Sequence, residues 1–66
     1  MKKFLITYIT DTISYKTEAE GTSVEAISDE LASMNWYYVT EEHTAVMLNK
    51  DHVPKIFIRE IKEGNS

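Results

Sequence analysis

Two stretches of this chain, residues 3–9 and 55–61, are apolar on both of the faces that a β-strand presents. In the first, Phe4, Ile6 and Tyr8 alternate with Leu5 and Ile9; in the second, Ile56 and Ile58 alternate with Phe57 and Ile61. Successive strand side chains point to opposite sides, so such strands belong in a sheet covered on both faces. A chain of 66 residues has room for one domain, and its helical signal supplies one helix, enough to cover one face. Burying a Leu, Ile or Phe is worth roughly 1.5–3 kcal/mol, so leaving Leu5, Ile9, Phe57 and Ile61 in water forgoes much of a marginal stability.

There are two ways out: the sheet curls around its own core, or a second copy or another protein covers the surplus. Small domains lean on disulfides, metals or association. The absence of cysteine removes disulfides and any thiolate zinc site. Self-association, as a dimer or higher, or docking on a host protein is therefore expected. The lack of cysteine also fits a reducing compartment.

Along the chain, residues 13–19 alternate: Ile13, Tyr15, Thr17 and Ala19 on one side, Ser14, Lys16 and Glu18 on the other. That is a strand with one wet face. Thr10-Asp11-Thr12 forms the preceding turn. If Thr10 pairs with Ile13 around two residues, Phe4, Ile6 and Tyr8 join Ile13, Tyr15 and Ala19 beneath a helix, and Leu5 and Ile9 face away. Gly21 breaks the strand, and Thr22 with Glu25 fits a capping box. Val24, Ile27, Leu31 and Met34 then recur at helical spacing, predicting a helix over 23–34 with Glu25, Asp29 and Glu30 as its acidic face. Residues 36–40, 44–48 and 55–61 read as strands, with polar turns at 41–43 and 49–51 and Pro54 opening the last. The expected fold is a single α+β domain over residues 1–63, β-β-α-β-β-β, mostly antiparallel sheet with one helix packed on one face. Residues 64–66 read as a loose tail.

The formal charge of −4 opposes non-specific attraction to nucleic acid phosphates. Lys2 and Lys3 before an apolar run suggest a leader, but Thr7, Thr10 and Asp11 interrupt it and no small-residue cleavage pattern follows. No stretch approaches the roughly 20 apolar residues of a membrane-spanning helix. The chain reads as cytoplasmic, with no membrane partner.

No catalytic constellation stands out, no cofactor is implied and an enzyme is not expected. His43 follows Glu41 and Glu42, and His52 follows Asp51, but these turns lie at opposite ends of one strand, roughly 16 Å apart. They read as solvated histidines rather than metal ligands. The serines lack a nucleophile-elbow context, and two glycines do not make a phosphate-cradling loop. Trp36-Tyr37-Tyr38 is the most distinctive cluster, with Trp36 and Tyr38 on one face and Tyr37 on the other. Such rings serve either cross-strand packing or a binding hot spot. Stacking on nucleic acid needs basic surroundings, whereas residues 21–42 hold five acidic and no basic side chains. Those acidic residues are a solvated helix face or, alternatively, a surface for a basic patch on another protein. The candidate interaction surface is thus Leu5, Ile9, Trp36, Tyr37, Tyr38, Phe57 and Ile61, with Glu25, Asp29 and Glu30 as a candidate acidic face. A nucleic-acid-binding domain and a ligand pocket between subunits are the competing readings.

Three segments, Lys3-Phe4-Leu5-Ile6-Thr7-Tyr8, Glu18-Ala19-Glu20-Gly21-Thr22-Ser23 leading to Glu25-Ala26-Ile27, and Leu48-Asn49-Lys50-Asp51-His52-Val53 leading to Ile56, carry a resemblance. Together they resemble small proteins of phages and prophages in low-GC Gram-positive bacteria. The resemblance implies an early-expressed accessory protein, some of whose kind bind and inhibit a host enzyme or defence complex. It supplies no functional residue.

Overall fold

The first hairpin closes where the alternation places it. The Thr10 amide donates to the Ile13 carbonyl at 3.0 Å, and the Thr10 hydroxyl accepts from the Ile13 amide at 3.1 Å. From that turn β1 (Lys2–Ile9) and β2 (Ser14–Gly21) pair antiparallel without a break, Ile9 opposite Ser14 and Lys2 opposite Gly21. The computed structural model describes residues 1–62, so Glu63 and the expected tail at 64–66 lie outside the described residues.

Helix α1 (Val24–Ala32) follows. Its N-cap is Ser23, whose hydroxyl accepts from the Ala26 amide at 3.1 Å, rather than the Thr22 of the expected capping box. Either hydroxyl satisfies an orphan amide of the first turn, and the chain uses the later one. The helix also stops two residues earlier than its apolar stripe suggests: the Ser33 amide and hydroxyl both donate to the Glu30 carbonyl. Nine residues make two and a half turns, so Ile27 and Leu31 are buried while Val24 and Met34, at and beyond the ends, are exposed.

Strands β3 (Trp36–Glu41) and β4 (Thr44–Asn49) form a second hairpin around Glu42-His43, with Glu42 at φ 43°. A short 3-10 turn at Lys50–His52, begun by Asn49 accepting from the Asp51 amide, leads past Val53 and Pro54 into β5 (Lys55–Ile61). The element order is the expected β-β-α-β-β-β of a small α+β fold. Its strands divide into two antiparallel sheets, β2-β1-β5 and β3-β4.

Both the helix and the second hairpin lie on one side of the three-stranded sheet. Phe4, Ile6 and Tyr8 of β1 form the floor of the core. Ile27 and Leu31 from the helix, Tyr37 and Val39 from β3, Leu48 from β4 and Val53 from the connection complete it. Ile56 and Ile58 of β5, paired with Tyr8 and Ile6, pack against this cluster. Gly21 is the last residue of β2, not a break in it, and its lack of a side chain is used. A Cβ there would stand 2.9 Å from Cγ1 of Ile27, so glycine lets the helix settle over Phe4. Ile13 does not join the core as expected: it lies in the turn, beyond the helix-covered part of the sheet, and is exposed.

Candidate interaction surface

Strand pairing fixes what the other side of the three-stranded sheet displays. Residues opposite one another in antiparallel strands share a face. Leu5 therefore lies between Glu18 and Arg59, Thr7 between Lys16 and Phe57, Ile9 between Ser14 and Lys55, and Lys3 between Glu20 and Ile61. Neither helix nor hairpin covers this side. Phe57 is 54% exposed, and Leu5, Ile9 and Ile61 are half-buried by their strand neighbours. A shallow groove of about 550 Å³ runs over it, lined by Leu5, Thr7, Lys16, Phe57 and Arg59 together with Ile58. The Lys55 ammonium stands 5.8 Å from the centre of the Phe57 ring, close enough for a cation–π contact.

The charge on this face differs from that of the rest of the chain. Four of the seven basic residues but only two of the eleven acidic ones lie on it. It carries a formal +2, and the remainder of the chain −6. Neither overall composition nor any charge run reveals this, because the basic residues come from three separate strands. The register alone gathers them.

The aromatic strand divides as its alternation requires. Tyr37 points inward and is 7% exposed; its ring stacks on Tyr8 with centroids 5.2 Å apart. It is therefore a core residue and leaves the candidate surface. Burial pushes the Tyr8 phenol above its ordinary value, and the neighbouring Tyr37 phenol adds to the effect. Trp36 and Tyr38 face out beside Met47, all three more than half exposed. Tyr38 and Met34 share a cleft of about 310 Å³ with Glu30 between α1 and the sheet. Glu25, Asp29 and Glu30 are all solvent-exposed.

The structure thus separates the candidate residues into two surfaces. Leu5, Ile9, Phe57 and Ile61 belong to the bare sheet face, Trp36 and Tyr38 to the outer side of the second hairpin. Sequence reasoning missed Lys16 and Arg59 as part of the first surface, and Met47 of the second. The signal for Lys16 was present, since the Thr10–Ile13 pairing already sets it opposite Thr7. His43 and His52 sit at opposite ends of β4, both exposed. Among the described residues no group of three or more His, Asp or Glu side chains converges as metal ligands, and no helix is long and apolar enough to cross a membrane. Comparison with family models, with curated proteins and with solved structures returns no match.

Proposed function

We propose that this chain is a small, non-enzymatic, cytoplasmic protein-interaction module that works through the bare face of the β2-β1-β5 sheet, with a second copy of itself as first partner. One observation carries the reading: the same three strands that supply the core on one side hold Leu5, Ile9, Phe57 and Ile61 in a continuous uncovered strip on the other. Contiguous apolar surface rimmed by charge marks association sites in soluble proteins. A partner that excludes water from the strip recovers roughly 1.5–3 kcal/mol for each large side chain it fully covers.

Sedimentation of the wild type and of Phe57→Lys across a micromolar to millimolar series tests it. The wild type is expected to associate with rising concentration, and the variant to stay monomeric with an unchanged fold. A wild type that sediments as a monomer throughout contradicts the reading.

A second reading places a basic host protein on the outer hairpin. It is favoured by exposed Trp36, Tyr38 and Met47 and by the grouping of Tyr38 and Met34 with the Glu30 carboxylate. The phage-protein resemblance points the same way. The two readings differ in which surface responds to the partner.

A further inference from the structure

The charges of the bare face are divided unevenly among its strands, with Lys3 on β1 and Lys16 on β2. Its two carboxylates, Glu18 and Glu20, both belong to β2 at one edge, whereas Lys55 and Arg59 belong to β5 at the other. Glu18 and Arg59 share a row, with Leu5 of the central strand between them. That row, with opposite charges at its two ends, is complementary to itself when the face is turned over.

We infer that this face packs against the same face of a second copy about a two-fold axis lying in the interface and running along β1. The inference rests on the interaction reading above and specifies its geometry. Such an axis lays β1 on β1 and sets β2 of one copy over β5 of the other, at the same rows. Glu18 then meets the partner's Arg59, and Arg59 meets the partner's Glu18. Lys16 lies over the ring of the partner's Phe57. Leu5 meets the partner's Leu5, and Ile9 the partner's Ile9, so the apolar line closes on itself. The two Lys3 residues meet at the end row, at the rim, each with Glu20 opposite it in its own sheet. Aligned sheets cross at about 30° and stand about 10 Å apart, which closes the middle rows and splays the corners.

The alternative two-fold, in the interface but across the strands, sets Leu5 on Ile9 but Lys16 on Lys16 when it passes through the Thr7 row. Passing between the Leu5 and Thr7 rows, it pairs charges, with Glu18 over the partner's Lys16. That second placement sets Leu5 on Thr7 and Ile9 on Lys3, so the apolar residues of β1 meet polar ones. Edge-to-edge pairing of β5 strands leaves the strip uncovered altogether. The axis along β1 pairs Glu18 with Arg59 and sets Leu5 and Ile9 on their own copies together, while Glu20 lies over the partner's Ile61 at the end row. Three strands about 4.8 Å apart and eight residues long give roughly 400 Å² of projected area per copy, about 800 Å² for the pair, which is below standard specific interfaces and in the range of weak, transient ones. A concentration-dependent dimer follows, not an obligate one.

Charge reversal tests the geometry. Dimerisation is measured by sedimentation for wild type, Glu18→Arg, Arg59→Glu and the double exchange, with circular dichroism and urea midpoints confirming the fold. Each single reversal breaks two symmetric pairs and is expected to weaken dimerisation roughly 30-fold. The double exchange restores the pairing and is expected to return within about threefold of wild type. If the wild type associates and Phe57→Lys abolishes this, yet the double exchange fails to recover, the packing is overturned while the interaction reading stands. A monomeric wild type overturns both. Should a variant fail to fold, isotope-filtered NOEs on the wild type decide. Contacts between Leu5 methyls of the two copies, and between Lys16 and the partner's Phe57, support the packing. Their absence from a dimer overturns it.

Discussion

The two faces of the β2-β1-β5 sheet are made by the same strands, yet they live in different solvents. On the covered side Phe4, Ile6 and Tyr8 lose nearly all exposure, Phe4 to 0%. On the bare side, one residue away along the same backbone, Leu5 and Ile9 are half-buried and Phe57 stays more than half exposed. Composition does not separate the faces, since both carry large apolar side chains. Coverage does, because the single helix and the second hairpin both fall on one side. The covered face specifies the fold of one chain; the bare face is left uncovered by its own chain and, on the proposed reading, acts between chains.

That contrast makes graded predictions. Phe4→Ala removes the floor of the core and is expected to cost about 3–5 kcal/mol, enough to unfold a domain of this size under mild conditions. Its counterpart across the sheet, Phe57→Ala, is expected to lower the unfolding free energy of the monomer, read from urea titration, by less than about 1 kcal/mol while weakening self-association. Comparable losses from the two would break the distinction between the faces. Between these lies Gly21→Ala, whose added methyl drives into Ile27 at 2.9 Å. Overpacking there is expected to cost about 1–3 kcal/mol, read from the same urea titration, with no effect on association beyond that of stability.

Much of this arrangement was legible in the chain, for reasons that can be named. Period-2 alternation assigns each residue of β1 and β5 to a face, and the Thr10–Ile13 pairing then fixes the β1–β2 register and the set that includes Leu5 and Ile9. The split of Trp36 and Tyr38 from Tyr37 follows from the same rule. What failed to show depends on long-range pairing or on competition between equivalent local choices. Nothing near β5 states that it pairs with β1, some fifty residues away in sequence, or that β3-β4 forms its own sheet. Thr22 and Ser23 offer the same capping hydroxyl, and the sequence does not rank them. Met34 keeps helical spacing after the helix has ended, and Val53 enters the core from a polar neighbourhood with no periodicity to flag it. The collection of Lys16, Lys55 and Arg59 on one face is a product of register, invisible until three strands are aligned.

On the proposed reading, the bare face is the surface that meets a second copy. Side-chain and amide NMR shifts of the uniformly labelled protein, followed from micromolar to millimolar concentration, test that directly. Concentration-dependent changes should be confined to the bare face, among them Leu5, Thr7, Ile9, Lys16, Glu18, Phe57, Arg59 and Ile61, with Trp36, Tyr38 and Met47 unmoved. Shifts that do not depend on concentration, or changes restricted to the outer hairpin, contradict it.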